Sequence, residues 1–169
     1  VTLNICDCSE EQTGTIAGGH NSDGAGIYAS GGSGSTTTVN IYGGNIIDCE
    51  VGAGIGLLYD TTANIYHGKI TGNNGGYGGV YCYYGATLNM YGGEISENTA
   101  TYAGGGIWLY RSTLNVSGDV KISGNTLNGS PNNLHIEVNE SDPAVVSIGE
   151  MADNSDIGVT IGKAGYREV

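Results

Sequence analysis

The chain has 169 residues, including 32 glycines, 12 tyrosines and 1 tryptophan, but only 2 prolines and no phenylalanine. So much glycine without a proline-rich triplet excludes collagen, and the regular recurrence of Ile, Val and Tyr argues against a disordered linker. Seventeen acidic and five basic residues give a formal net charge of −12, which repels phosphate backbones and anionic lipid. We therefore expect no nucleic-acid partner, and an acidic surface suited to an extracellular setting.

No apolar run approaches the ~20 residues that would span a bilayer, so we expect no membrane insertion. Val1 leads directly into a strand-like run, and the chain stops abruptly at Val169. We expect residues 1–169 to form one domain cut from a longer protein. The repeat turns span about residues 3–136, and an atypical C-terminal turn or cap follows over about residues 137–169.

Each repeat opens with an asparagine between two apolar residues. The asparagines of this motif are Asn4, Asn40, Asn64, Asn89 and Asn115. They are 36, 24, 25 and 26 residues apart, and glycine-rich insertions lengthen the first interval. A second apolar element follows in every copy, centred on Ile16, Ile46, Ile70, Ile95 and Ile122. A third apolar element contains Ile27, Ile55, Val80, Ile107 and Leu134.

Three short strands per repeat, separated by glycine and asparagine corners, predict an all-β fold. The expected fold is a right-handed parallel β-helix, or solenoid, of about five to six turns. The two-residue period of a strand places Val39 and Ile41 inside the coil, with Asn40 and Tyr42 outside. No apolar stripe of helical period is present, so we expect no helix.

Asparagine also recurs at one corner, as Asn73, Asn98 and Asn125. We expect these amides to hydrogen-bond between turns, and Cys49 takes the same place in the second turn. The pattern loosens after Ser123. Because the ends of a parallel stack carry unpaired strand edges, we expect a cap, a continuing chain or end-to-end self-association there.

Two segments resemble the repeats of the pectate-lyase-like right-handed β-helix superfamily. They are Gly-Gly-Glu-Ile-Ser-Glu-Asn at residues 92–98 and Gly-Gly-Gly-Ile-Trp-Leu at residues 104–109. Within that superfamily, the chain looks like repeat regions of large surface proteins of gut Firmicutes and of polymorphic outer-membrane adhesins. The resemblance implies an extracellular, bacterial cell-surface location. It leaves activity open, because the superfamily contains lyases, hydrolases, adhesins and carbohydrate binders.

Enzymes of this fold carry a cluster of charged groups on one outward face, whereas the charges here follow a ladder pattern. Lys69, Glu94 and Lys121 succeed one another down the stack, which predicts salt bridges between turns. Other carboxylates near corners and loops are Asp7, Glu10, Glu11, Asp48 and Glu50. Nothing in the strand pattern sets these beside a basic residue, so we predict no catalytic site. For the carboxylates of the loop that contains Asp7, Glu10 and Glu11, calcium binding is the more plausible role, although neither an EF-hand nor a nonapeptide calcium motif is present.

The cysteines and histidines carry little further chemistry. Cys82 points inward and is expected to be a small core residue. Cys8 and Cys49 lie in adjacent turns and are candidates for a disulfide, with free thiols as the equal alternative. His20 and His67 fall in turns, where we expect solvated side chains.

Outward aromatic residues are the most suggestive feature of the sequence. On the outer face of the third strand, the candidate ligand-binding residues are Tyr28, Tyr81, Tyr83, Trp108, Tyr110 and His135. Exposed rings on a rigid sheet can stack on sugar rings or pack against a protein, but rings in neighbouring turns also stabilise a sheet. Both interpretations stay open for the face that contains Trp108. For Tyr42, Tyr66 and Tyr91 on the first strand, we favour the structural one.

These features predict a non-catalytic cell-surface module that acts as a rigid stalk or adhesin. Its expected partner is a polysaccharide, or a glycan or protein on a host or neighbouring cell, bound through the outward aromatics. The alternative is a polysaccharide lyase or glycoside hydrolase acting on acidic polysaccharides, which rests on the superfamily resemblance alone. No metal site or cofactor is predicted beyond the calcium noted above.

Overall fold

A computed structural model describes residues 1–7, 9–11, 13–32, 34–138 and 141–163. Within these ranges the regular structure is entirely β, with no helix, as the sequence predicts. The first ten strands are β1 (Thr2–Ile5), β2 (Thr15–Ala17), β3 (His20–Asn21), β4 (Ile27–Ser30), β5 (Thr37–Ile41), β6 (Asn45–Ile47), β7 (Glu50–Leu58), β8 (Thr61–Ile65), β9 (Lys69–Thr71) and β10 (Asn74–Tyr83). The next ten are β11 (Thr87–Ser96), β12 (Thr99–Ala100), β13 (Ile107–Tyr110), β14 (Thr113–Ser123), β15 (Thr126–Leu127), β16 (Ser130–Pro131), β17 (Leu134–Val138), β18 (Val145–Met151), β19 (Asp156–Ile157) and β20 (Val159–Lys163).

The strands stack into three faces, and equivalent strands of neighbouring turns pair in parallel; β16 is the exception and pairs antiparallel with β15. The first face contains β1, β5, β8, β18 and the opening halves of β11 and β14. The second contains β2, β6, β9, β19 and the closing halves of β11 and β14. The third runs from β3 and β4 through β7, β10, β12, β13, β15 and β17 to β20. The chain is therefore a parallel β-solenoid.

About four turns are regular, in the sense that all three of their faces pair with a turn on either side. The count is slightly lower than the five to six turns that the sequence predicts. The difference lies at the ends, where the first and last sets of strands have one neighbouring turn within the described part of the chain. Strands β18, β19 and β20 continue the parallel stack as a further rung.

The register of the stack matches the one read from the sequence. On the second face the paired residues are Ile16, Ile46, Ile70, Ile95, Ile122 and Ile157. On the third face they are Ile27, Ile55, Val80, Ile107 and Leu134. The predicted inward columns are thus confirmed, and they form one continuous core.

Burial of this core is complete in the middle of the stack and weak at its ends. Leu88, Ile107 and Leu114 have no exposed surface, whereas Leu3 in the first turn is 46% exposed and Ile148 in the last is 63% exposed. Each large buried side chain contributes about 1.5–3 kcal/mol. A turn gains this stabilisation only when a neighbour covers it, so the solenoid is stable as a stack and not as separate turns.

The corner asparagines form a buried ladder of amides. Asn98 Oδ1 accepts hydrogen bonds from the backbone N–H of Asn73 at 3.0 Å and from its Nδ2 at 2.9 Å. Asn125 Oδ1 receives the same two bonds from Asn98, and Asn98 Nδ2 also donates to the Ile70 carbonyl. The predicted bonding between turns is confirmed. Each amide satisfies backbone groups that the corner would otherwise bury without partners.

Cys49 interrupts the amide ladder at its upper end, as predicted. Its backbone N–H donates to Asn73 Oδ1 at 3.1 Å, so the thiol stands where the next amide would stand. At the other end, Asn133 continues the ladder, because its Oδ1 accepts from the N–H and the Nδ2 of Asn125. This extension by a residue between β16 and β17 is not evident in the repeat pattern.

Asn98→Ala should lower the free energy of unfolding by about 2–4 kcal/mol, because it leaves the buried Asn73 N–H and the Ile70 carbonyl without these partners. Urea unfolding followed by far-UV circular dichroism measures the loss. Asn64→Ala is the matched control, since Asn64 lies half-buried in an outward asparagine ladder with Nδ2–Oδ1 distances of 2.8 Å. An equal loss in both variants would contradict a special role for the buried corner.

Candidate functional site: the aromatic cluster of the third face

The third face carries the predicted aromatic residues in the predicted register. Down one outward column the paired residues are Tyr28, Gly56, Tyr81, Trp108 and His135. Two residues further along, the second column contains Ser30, Leu58, Tyr83 and Tyr110. The structure therefore brings four of the predicted site residues, Tyr81, Tyr83, Trp108 and Tyr110, into one cluster with ring contacts throughout.

The rings of Tyr81 and Trp108 are buried, so the expectation that they stand exposed is wrong. Each is only 5% exposed. The cause is Tyr77, whose ring lies 4.3 Å from that of Tyr81 and 5.2 Å from that of Trp108, centroid to centroid. The register of β10 shifts between Gly75 and Gly78, and this irregularity lets Tyr77 fold over the outer face of the sheet.

Sequence reasoning missed Tyr77 because it falls outside the two-residue alternation. One signal was available, namely a single tyrosine with a glycine pair on each side over residues 75–79. Glycines at such positions permit a bulge and a close approach of the backbone. At Gly78, which has φ of 61°, an added Cβ would lie 2.0 Å from the Gly105 carbonyl oxygen.

Inside the cluster the rings stack nearly in parallel. Tyr81 and Trp108 are 5.1 Å apart with an interplanar angle of 8°, and Trp108 and Tyr110 are 5.7 Å apart at 12°. Ala53, Leu58 and Ala103 are buried against these rings. The cluster is thus a second apolar core, built on the outside of the sheet.

An accessible rim of aromatic residues surrounds this second core. Tyr83, Tyr84 and Tyr110 are half-buried, and Tyr59 is 48% exposed. The guanidinium of Arg111 lies 4.9 Å from the centre of the Tyr84 ring and 5.6 Å from that of Tyr110, within cation–π range. We call these five residues the aromatic rim.

The rest of the rim lies at the corner that directly follows the third strand of each turn, and this shared position could have been found in the sequence. Tyr59, Tyr84 and Arg111 occupy it in successive turns, each with positive φ, between 43° and 49°. They come directly after the residues that the alternation assigns to the sheet, so the strand pattern did not include them. Their equivalent backbone geometry brings all three side chains to one edge of the face.

The remaining two predicted residues lie apart from the cluster. Tyr28 is 50% exposed, and Gly56 separates it in the register from Tyr81. His135 continues the column after Trp108 and is half-buried, with its Nδ1 3.4 Å from Asn132 Nδ2. Burial lowers the pKa of His135, although Glu137 opposes the effect. At neutral pH its imidazole is therefore uncharged.

The cluster presents neutral hydroxyl groups at physiological pH. Burial raises the pKa of Tyr77, Tyr81 and Tyr83 above the ordinary range; neighbouring tyrosines add to the effect on all three, and Asp23 adds to it on Tyr77 and Tyr81. The indole Nε1 of Trp108 is buried with no hydrogen-bond partner among the residues that the structure describes. The rings of this surface are uncharged, and they meet both face to face and edge to face, with Arg111 at their edge.

The tyrosines of the first face form the structural ladder that we favoured. Tyr42 and Tyr66 stack at 4.9 Å with an interplanar angle of 4°, and Tyr66 and Tyr91 stack at 5.1 Å and 17°. Equivalent side chains in adjacent turns lie about 4.8 Å apart, which is close to the distance at which rings stack. Register alone accounts for this ladder.

The charge ladder of the second face is also present. Lys69 Nζ lies 3.4 Å from Glu94 Oε2, and Glu94 pairs in the register with Lys121 on its other side. The Ser96 hydroxyl donates to Glu94 Oε1 at 2.7 Å. This hydrogen bond, together with the two lysines, holds the pKa of Glu94 below its ordinary value. Glu94 is therefore an ionised partner in the ladder and is unsuited to act as a general acid.

Two other carboxylates, those of Asp7 and Glu50, have hydrogen-bond or ion-pair partners in the described part of the chain. Asp7 accepts hydrogen bonds from the N–H and hydroxyl of Ser9 and from the N–H of Gly14, which lowers its pKa. Glu50 faces His20 at 3.7 Å, and both are exposed. No three His, Cys, Asp or Glu side chains that could hold a metal lie together in the described ranges. The calcium expectation stays a prediction.

Of the cysteines that the structure describes, one is in a disulfide and two lie buried in the core. Cys82 has no exposed surface, which confirms it as a core residue. Cys49 is buried and free, so the disulfide considered between Cys8 and Cys49 is not formed. Burial raises the pKa of both thiols, which makes them poor nucleophiles. Cys6 is disulfide-bonded, and Cys8 lies outside the described residues.

No protein-family model, curated protein or solved structure matches this chain. Among the described residues, no helix has the length and apolar character required to cross a bilayer. Function must accordingly be argued from the surfaces of the solenoid itself.

Trp108→Ala should lower the free energy of unfolding by about 3–5 kcal/mol, because it empties the centre of the second core. Urea unfolding followed by far-UV circular dichroism measures this without relying on the lost indole. Tyr28→Ala, at an exposed ring of the same column, should change stability by less than about 0.5 kcal/mol. A small effect of Trp108→Ala would show that the cluster is a surface and not a core.

Glu94→Gln should destabilise the protein near neutral pH and lose its effect in acid. Because the pKa of Glu94 is lower in the folded chain, its contribution is complete above the unfolded pKa of about 4.3 and disappears as the pH falls through the folded value. The test compares urea midpoints of wild type and variant at about pH 7 and about pH 3. Glu97→Gln, at an exposed carboxylate in the same turn, is the control. A difference between the urea midpoints of wild type and Glu94→Gln that persists in acid would contradict the ion-pair explanation.

Proposed function

We propose that this chain is a non-catalytic module of a bacterial surface protein, acting as a rigid stalk or adhesive surface and binding glycan through the aromatic rim. The solenoid supports the stalk part, because in-register hydrogen bonding between turns gives an elongated stack with few flexible joints. The acidic composition is consistent with an extracellular location. The resemblance of residues 92–98 and 104–109 to pectate-lyase-like repeats supports the same placement.

The observation that carries the glycan part is the aromatic rim itself. Tyr83 and Tyr110 stack at 5.4 Å with an interplanar angle of 19°, and both rings keep accessible surface. Beneath them, the buried rings of Tyr81 and Trp108 hold this platform in place. A preorganised aromatic surface beside an arginine suits the apolar face and the hydroxyl groups of a sugar ring. Binding at the rim would need no rearrangement of the fold.

Glycan-array binding of the folded chain tests this proposal. Tyr83→Ala and Tyr110→Ala should each weaken binding roughly tenfold, the loss expected for about 1.4 kcal/mol of ring contact. Tyr42→Ala is the matched control, because it removes an exposed tyrosine from the first-face ladder. Thermal unfolding of each variant checks that the fold is intact.

Absence of any glycan ligand for the wild type would remove the binding part of the proposal. Equal glycan binding by the rim variants and by Tyr42→Ala would show that the binding site lies outside the aromatic rim. Trp108→Ala is unsuitable as a binding probe, because Trp108 belongs to the buried core of the cluster.

A polysaccharide lyase or glycoside hydrolase remains the second candidate. The observation in its favour is a groove along the second face that holds both carboxylates and lysines, among them Glu94, Asp119, Lys69 and Lys121. Against it, Glu94 is tied into an ion pair and a hydrogen bond. Incubation with uronic-acid polymers, with and without calcium, should yield neither unsaturated products nor new reducing ends. Formation of either would overturn the non-catalytic proposal.

A further inference from the structure

An apolar cavity of about 190 Å³ lies at the corner between the first and second faces, in the first three turns. Six isoleucines in two columns line it: Ile5, Ile41 and Ile65 from the first face, and Ile16, Ile46 and Ile70 from the second. An apolar cavity of about 150 Å³ in another protein stays dry and binds benzene. The space here is therefore large enough for one aromatic ring.

The corner of these turns carries glycine, as does the fourth turn at Gly93, so the packing of the neighbouring side chains decides where the cavity ends. Gly44 and Gly68 line the space with φ of 90° and 103°, a conformation that other residues rarely adopt. In the fifth turn, Val120 is paired in the register with Gly93 of the fourth, and its side chain is completely buried. Met90, paired with Ile65, fills more of the fourth turn than a branched isoleucine reaches. Side chains of the fourth and fifth turns therefore fill the position at which the first three turns leave the cavity.

The mouth of the cavity opens into the polar groove of the second face. Asn45, His67 and Lys69 line both the cavity and the groove. The ionisable carboxylates of the groove are Glu10, Glu11, Glu94 and Asp119, and its amines are Lys69 and Lys121. Four carboxylates against two amines give the groove a net negative charge. A cationic or neutral polar group is therefore favoured there over an anionic one.

We propose that this chain binds a small amphiphile at this corner, with an apolar end of one aromatic ring in the isoleucine cavity and an amine or hydroxyl end in the groove. The site lies on the opposite side of the first strand of each turn from the aromatic rim. It is independent of the glycan proposal. The isoleucine walls supply the affinity, and the groove charges supply the selectivity.

Three probes of equal shape and different charge test the proposal: 2-phenylethylamine, 2-phenylethanol and phenylacetate. Thermal unfolding of the chain, with titration calorimetry, should show that the amine and the alcohol raise Tm with rising concentration, because they bind only the folded state. Phenylacetate should bind at least tenfold more weakly than the amine. Salt should reduce this difference, since it screens the groove charges.

Ile41→Phe places a ring inside the cavity and should abolish binding of all three probes while leaving Tm without ligand unchanged or higher. Ile41→Ala enlarges the cavity and should retain binding despite a lower Tm. Val116→Ala is the matched control, since it removes buried methyl groups from the fifth turn, away from the cavity. It should lower Tm and leave probe binding unchanged.

Several results would overturn the proposal. They are no Tm shift or heat with any probe in the wild type, tighter binding of phenylacetate than of the amine, and wild-type affinity in a folded Ile41→Phe variant. If Ile41→Phe does not fold, the charge series and Ile41→Ala decide the outcome without it. Tyr83→Ala, which affects the aromatic rim, should leave the probes bound as in the wild type.

Discussion

The parallel, in-register pairing of successive turns is the constraint on which the rest of this structure depends. It places every side chain about 4.8 Å from its equivalent in the next turn, so that each position of the repeat becomes a column. Some side chains stack favourably on their own kind. Amides bond in the Asn73, Asn98 and Asn125 corner, tyrosines stack on the first face, and aliphatic groups fill the interior. Like charges repel each other at this spacing, and the second face accordingly alternates Lys69, Glu94 and Lys121.

The places where a column changes residue type are where the molecule acquires distinct surfaces. Glycine at position 56 separates Tyr28 from the aromatic cluster, so the cluster belongs to the middle turns alone. Met90 in the fourth turn and Val120 in the fifth are completely buried in the core, whereas the isoleucines of the first three turns leave a cavity. A strictly repeating solenoid would present the same surface all along its length. The imperfections of this repeat give different turns of the stack different surfaces.

The two candidate binding surfaces differ in their electrostatics. The aromatic rim carries four tyrosine hydroxyls and one charge, which is on Arg111. The groove of the second face is lined by more carboxylates than amines, and it leads into an apolar cavity. Sugar hydroxyls suit the first surface, and a small molecule with one apolar end and one polar end suits the second. Within the groove, Glu94 is held ionised by Ser96 and Lys69 and is unsuited to act as a general acid.

The sequence by itself determined the fold class, the register and the residues of the strand columns, because the repeat spacing and the two-residue alternation are local properties of the chain. It therefore predicted the inward isoleucines, the corner amides with Cys49 as the exception, and the tyrosine and charge ladders. Only the tertiary structure decided which outward rings are accessible. Tyr77 covers Tyr81 and Trp108 from a bulge that breaks the alternation, and Tyr59, Tyr84 and Arg111 meet at a corner beyond the strands. The cavity likewise depends on packing between turns, since its volume is the space that the side chains of three turns together fail to fill.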